Sequence, residues 1–284
     1  MFKQYYYLTK PGIVRGNAIA ALAGFFLASK GRIDWLLLLA MLAGICLVVA
    51  SACVFNNYID RDIDSKMSRT KKRALVSGKI TPLNALIYGS VLGVVGLGLL
   101  AFYTNILTAF LALLGFFFYV VVYGYFKRHT VYGTVIGSIS GAVPPTVGYC
   151  AVTNNFDLGA LLLFGILVFW QMPHFYSIAI FRMKDYSSAS IPVLPIVSGM
   201  RAAKTQSLLY IVGYIIVSAA MTLYGYTGIT YLVIVTALGL GWLAIGIKDF
   251  NSPDDVRWGH KMFGISLLVL LAQCVLLSVD AWLP

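Results

Sequence analysis

The chain has 284 residues, 60% of them hydrophobic and 11% charged, with a mean hydropathy of +0.86 and a formal net charge of +11. So little polar surface excludes a soluble globule, and the composition predicts an all-α integral membrane protein. The cations accompany no soluble domain or groove-reading motif, which excludes nucleic acid and favours membrane lipid and phosphate as partners.

Apolar spans are predicted at roughly 13–29, 34–57, 82–103, 105–126, 133–152, 158–181, 206–226, 229–247 and 261–279, giving about nine transmembrane helices. The first ends in Ala28-Ser29-Lys30-Gly31-Arg32 and reads as a retained span rather than a cleaved leader. All of the 21 Lys and Arg residues except Lys30 and Arg32 fall on the side of the N-terminus. The positive-inside rule therefore predicts a cytoplasmic N-terminus and an outward C-terminus. Two loops on the cytoplasmic side are long, about 58–81 and 182–205, whereas outward turns such as Tyr103-Thr104-Asn105 are short, so chemistry is expected at the cytoplasmic end. The four cysteines, Cys46, Cys53, Cys150 and Cys274, lie inside apolar spans without metal-ligand spacing and read as small core residues.

At the end of the second span Asn56, Asp60 and Asp64 stand four residues apart. If the helix continues through them, one amide oxygen and two carboxylates share a face, with Asp62 turned the other way. Acids beside an apolar span are costly unless they have work to do. Carboxylates so grouped suit Mg²⁺, which combines one or two of them with substrate phosphate oxygens. Arg69, Lys71, Lys72 and Arg73 follow and would hold those phosphates, so the expected ligand is a diphosphate.

His174 lies inside the sixth span, where an unpartnered imidazole is expensive; His129 and His260 read as interfacial residues. Asp185 leaves the sixth span as Asp60 leaves the second, four spans earlier and in the same orientation. That offset predicts two parallel four-helix halves facing one cavity, with a ninth helix added, in a single domain over 1–284.

The run Asn56, Asn57, Asp60, Asp64 resembles the Asn-(Asp/Asn)-x-x-Asp-x-x-x-Asp signature of the UbiA superfamily of intramembrane prenyltransferases. Four further runs resemble the branch of that family that farnesylates protohaem: Asp62-Ile-Asp-Ser-Lys-Met-Ser-Arg-Thr-Lys-Lys-Arg73, Gly141-Ala-Val-Pro-Pro-Thr-Val-Gly148, Trp170-Gln-Met-Pro-His-Phe175 and Asp185-Tyr-Ser-Ser-Ala-Ser-Ile-Pro-Val-Leu-Pro195. Together they span almost the whole chain.

The resemblance implies a UbiA-type bundle around a central cavity open to the cytoplasmic side of a bacterial inner membrane. It implies Mg²⁺-dependent transfer of a farnesyl group from farnesyl diphosphate to a vinyl group of haem b, with addition of water. The product, haem O, would serve a terminal oxidase, directly or through a haem A synthase. Carried over by position, Asn56, Asp60, Asp64 and Asp185 are the catalytic and metal-binding residues, and Arg69, Lys72, Arg73, Arg182 and Lys184 contact the diphosphate. His174 is placed at the haem, as an iron ligand or propionate contact; the other reading is a core histidine bonded to a backbone carbonyl freed by Pro173. Rings such as Phe116, Tyr119, Tyr123, Tyr149 and Trp170 offer faces to a developing carbocation.

One departure stands out. Many superfamily members carry two or three aspartates in a second motif, but Ser188, Ala189 and Pro192 follow Asp185 here. Asp185 then either shares the metal of the first motif or leaves part of the diphosphate charge to Arg182 and Lys184. An aromatic or quinone-precursor acceptor is the alternative within the family. A transporter is the alternative outside it, although transporters place their polar groups near the bilayer midplane.

Overall fold

The computed structural model describes residues 2–283; the predicted domain, 1–284, also includes Met1 and Pro284, which lie outside the described residues. A short helix α1 (Phe2–Leu8) leads through Lys10, in the left-handed region at φ 52°, into α2 (Pro11–Ser29). Helix α3 (Trp35–Ile59) yields at Asp60 to the single turn α4 (Arg61–Asp64), and turns then run to α5 (Pro82–Tyr103). Helix α6 (Ile106–Phe117) passes through a π-helical turn, Phe118–Val122, into α7 (Tyr123–His129), and α8 (Gly133–Thr153) follows. The second part comprises α9 (Leu158–Phe181), the short α10 (Met183–Ser188) and α11 (Leu194–Val197), then α12 (Gly199–Leu223), α13 (Ile229–Lys248) and α14 (Asp255–Val279).

Among the described residues nine helical stretches are long and apolar enough to cross a membrane, with α6 and α7 forming one of them. The protein is therefore a multi-pass membrane protein. At the end opposite the acidic motif, Asp34, Asn105 and Asp157 each cap a helix, accepting from the backbone N–H of Leu37, Thr108 and Ala160 at 3.0, 2.8 and 3.1 Å. Two helices begin earlier than their apolar spans: α12 at Gly199 rather than 206, and α14 at Asp255 rather than 261. Their polar first turns are supported locally. Lys204, buried, pairs with Asp255 at 2.6 Å and donates to the Phe250 carbonyl at 2.8 Å, while Asp254 caps α14 through the Arg257 N–H. The second long loop consequently ends at Ser198 instead of 205.

The two predicted halves appear as matching helix pairs. Helix α2 packs on α3 as α8 packs on α9, α3 on α5 as α9 on α12, and α5 on α6 as α12 on α13. The halves meet where α2 crosses α8. There a Cβ on Gly24 would lie 1.9 Å from the Pro145 carbonyl oxygen, and one on Gly148 would lie 1.9 Å from that of Ala21. Only glycine allows backbones so close, the usual device of membrane helices. The ninth helix, α14, packs on both α9 and α2 and closes the ring.

Candidate active site

The kink at Asp60 does not disturb the face that the sequence spacing sets up. The Asp60 N–H still donates to the Asn56 carbonyl at 2.9 Å and the Asp64 N–H to the Asp60 carbonyl at 2.8 Å, so helical phase is kept across the break. Asn56, Asp60 and Asp64, only 3%, 7% and 2% exposed, accordingly line one central cavity of about 880 Å³ together with residues of α2, α7, α8, α9 and α14. That volume lies toward the upper end of small-molecule and cofactor sites, roughly 300–1,000 Å³. Asp62 points outward as expected. Its carboxylate receives Arg128 at 2.7 and 2.8 Å, and this hydrogen bonding holds its pKa down to about 2.

Each of the three motif side chains is met by a cation of the protein. Lys10 donates to the Asn56 amide oxygen, Lys127 to Asp60 Oδ2 at 2.5 Å and Arg73 to Asp64 Oδ2 at 2.5 Å. Lys10 is brought there by the α1–α2 junction, where Asn57 Nδ2 donates to the Leu8 carbonyl at 2.7 Å. Its left-handed backbone is a strained choice for a non-glycine residue, of the kind that clusters at functional sites. Desolvation in the cavity wall lowers its pKa to about 8. Lys127 sits 5.0 Å from the centre of the Tyr123 ring, which stacks on Tyr119 at 5.6 Å. The π turn Phe118–Val122 carries Tyr119 and ends just before Tyr123, a local widening often found at working sites.

Some polarity in this cluster is left over. Arg128 approaches Asp60 Oδ1 only to 3.6 Å, beyond hydrogen-bond geometry, and Asp60 Oδ1 and Asn56 Nδ2 are buried without a hydrogen-bond partner. A carboxylate oxygen buried without a donor is costly, so this one is suited to a ligand that arrives from the cavity. Two carboxylates and an amide oxygen are the donor set of a hard divalent cation completed by substrate oxygens. Among the described residues no group of three or more His, Cys, Asp or Glu forms an all-protein metal cage.

The remaining expected residues separate into two groups. Arg69, Arg73 and Arg182 line the cavity, whereas Lys72 and Lys184 are exposed and stand outside its lining. The segment after Asp64 is a run of turns, so Arg69 and Arg73 do not share a helix face; Arg73 reaches Asp64, and Arg69 has no ion pair among the described residues. Asp185 also stands outside the lining. Its Oδ1 accepts from the Ser68 N–H at 3.1 Å and hydroxyl at 2.7 Å, and Ser188 donates to the Lys66 carbonyl at 3.1 Å, so the two long loops are tied together. Lys10 and Lys127 were not among the expected site residues. Basic residues at span ends also satisfy the positive-inside rule, and no sequence signal separates the two roles.

His174 lines the cavity on α9, stacked on Trp170 and on Phe263, each at 4.8 Å. Its partner is the Ser266 hydroxyl at 2.8 Å rather than a carbonyl freed by Pro173. Ser266 gives its own proton to the Phe263 carbonyl at 2.6 Å, so His174 Nδ1 must be the donor. Nε2 then keeps its lone pair and has no protein partner among the described residues.

The UbiA prenyltransferase family model matches residues 17–268. The chain is similar over its whole length to the protoheme IX farnesyltransferases of Salmonella choleraesuis (strain SC-B67) and Escherichia coli O139:H28, each 52% identical over 285 residues that cover 100% of this chain and 96% of the relative. Among solved structures it resembles a digeranylgeranylglyceryl phosphate synthase, with a TM-score of 0.81 at 20% identity over 99% of this chain and 98% of that one. It also resembles a UbiA homologue from Archaeoglobus fulgidus bound to GPP and Mg²⁺, with a TM-score of 0.67 at 16% identity over 97% and 100% of the two chains. At these identities the solved structures speak for the fold alone.

Proposed function

The chain belongs to the UbiA prenyltransferase family, and from that premise we propose that it transfers a farnesyl group from farnesyl diphosphate to a vinyl group of protohaem IX, with addition of water, to give haem O. The observation that carries the reading is the pair Asp60 and Asp64, buried in an intramembrane cavity with Asp60 Oδ1 undonated. Such a site is built for a charged donor with an apolar tail.

Asn56, Asp60 and Asp64 would hold Mg²⁺ together with diphosphate oxygens. When bound, the ion supplies stabilisation of the negative charge that gathers on the leaving diphosphate as its C–O bond loosens. Lys10, Lys127, Arg73 and Arg69 line the same space and donate to the remaining phosphate oxygens, the electrostatic contribution that dominates such a step. The faces of Tyr119, Tyr123 and Phe116 line the cavity beside them, where positive charge develops on the allylic carbon. A vinyl carbon of the haem attacks that carbon, so no protein nucleophile is required. Asp185 acts at one remove, fixing Ser68 and with it the loop that carries Arg69 and Arg73. His174, in the lining of the same cavity, would offer haem iron a neutral imidazole nitrogen at Nε2.

The distribution of Lys and Arg orients the motif-bearing end to the cytoplasm of a bacterial inner membrane, with the C-terminus outside. The product is passed on to a terminal oxidase or a haem A synthase. Mass spectrometry of haem extracted from membranes with and without the protein tests the reading. The expected result is a species heavier than protohaem by one farnesyl group and one hydroxyl, the water's other hydrogen leaving as a proton, lost after Mg²⁺ chelation and restored by the ion. Unchanged protohaem together with prenylation of 4-hydroxybenzoate would overturn the choice of acceptor.

A further inference from the structure

We propose that the macrocycle of the acceptor lies on a wall of rings shared by α9 and α14, with its propionates held by Arg182 and His260. This rests on the haem reading above and takes Arg182 away from the diphosphate.

The wall is continuous. From Trp170 it passes to His174 at 4.8 Å, to Phe263 at 4.8 Å, to Phe181 at 5.6 Å and to His260 at 4.3 Å, and all five rings line the cavity. Stacked contacts dominate, with interplanar angles of 23°, 30° and 17° and a single edge-on step. Rings stacked on one another in this way turn their edges to the cavity, and such edges meet the face of a flat, electron-rich ligand in edge-to-face contact, whereas a farnesyl chain has no plane to match them.

The end of the wall nearest the acidic motif is the only charged part of it. The Arg182 guanidinium lies 5.7 Å from the centre of the Phe181 ring and forms no ion pair among the described residues, unlike Arg73 and Lys127, which are committed to acids. Asp185, its nearest acid in sequence, is occupied by Ser68. His260 Nδ1 faces the Val256 carbonyl at 2.9 Å and must donate to it, which leaves Nε2 for a partner from outside. To hold a carboxylate there Nε2 must donate, so the clamp takes His260 as the imidazolium.

Haem carries two carboxylates on one edge, and a guanidinium fork with an imidazolium beside it is a complementary pair of donors. The spacing also agrees. Arg182 follows His174 by eight residues, about 12 Å along α9. The reach from iron to propionate together with an arginine side chain spans that distance. The vinyl-bearing rings, on the opposite edge of the macrocycle, are then turned into the cavity.

Soret titration of the purified protein with haem b and with its dimethyl ester, which lacks the propionate charges, tests the assignment. Wild-type protein should prefer the free acid by about 10- to 100-fold, the worth of hydrogen bonds to charged groups. Arg182→Ala should erase most of that preference by weakening haem b and not the ester, Arg182→Lys should restore part of it, and His260→Ala should lose a smaller share. Farnesyl diphosphate affinity should stay unchanged in all three. Equal weakening of acid and ester, or a loss of farnesyl diphosphate binding in Arg182→Ala, would remove the clamp and leave the haem reading standing. Wild-type protein that binds neither porphyrin would remove both. The comparison of acid with ester in the wild type decides the matter even if a variant fails to fold, because indifference to esterification overturns the clamp by itself.

Discussion

The last turns of α3 and α9 stand at corresponding places in the two halves, and they treat their aspartates in opposite ways. Helix α3 delivers Asp60 and Asp64 into the cavity, buried and held by Lys127 and Arg73. Helix α9 delivers Arg182 to the cavity and leaves Asp185 outside it, bonded to Ser68 of the opposite loop. The earlier part of each helix differs in the same sense: α9 offers Trp170 and His174 where α3 offers only aliphatic and small residues, Ile45, Val48, Val49, Ala52 and Cys53. A repeated scaffold has thus been divided, with one half suited to the anionic donor and the other to a planar acceptor.

The sharpest test of that division is Asp60→Asn, which keeps the shape and removes the charge. Turnover should fall by about 10²–10³-fold or more, the scale of losing a principal electrostatic group, while haem binding is retained. Mass analysis of the product beside a haem titration reads both quantities, and Mg²⁺-dependent turnover near the wild-type rate would break the comparison. The converse variant, His174→Ala, should bind haem at least about tenfold more weakly, ~1.4 kcal/mol, with an altered Soret band and nearly unchanged affinity for farnesyl diphosphate. A stable variant with the wild-type spectrum would instead make His174 a purely structural partner of Ser266.

The smallest effect is expected at the link between the loops. Ser68→Ala removes the hydroxyl bond to Asp185 and Asp185→Ala that bond and the one from the Ser68 N–H, and each should lower kcat/KM only several-fold, on the order of 1 kcal/mol per bond. If Asp185→Ala proves far more damaging than Ser68→Ala, Asp185 has a task at the metal as well, and the two halves are more alike than their geometry indicates.

Much of this was legible in the sequence because membrane physics writes in long, simple periods. The nine spans follow from hydropathy, and the shared face of Asn56, Asp60 and Asp64 follows from four-residue spacing that survives the kink at Asp60. What hydropathy misses is polar helix. The first turns of α12 and α14 are held by a cap and by the Lys204–Asp255 pair, which lie outside any apolar window. Side-chain partners from distant parts of the chain were equally hidden. Lys10 meets Asn56 across 46 residues, Lys127 meets Asp60 across 67, and Ser266 meets His174 across 92. Runs of Lys and Arg likewise conceal which members turn inward: Arg73 does, Lys72 does not, and only the turns after Asp64 decide between them.

The cations seated on Asn56, Asp60 and Asp64 make the cluster an ion exchanger loaded with its own side chains. Both carboxylates meet a cation of the protein before any ligand arrives, so their burial is compensated from within the chain, in contrast to domains whose folding energy is supplied by metal binding. Loading the donor then becomes a change of partners. Were a divalent metal to take the carboxylates, the ammonium and guanidinium groups of Lys10, Lys127 and Arg73 would be on hand for the phosphate oxygens that replace them, and little net charge would have to be carried into the membrane.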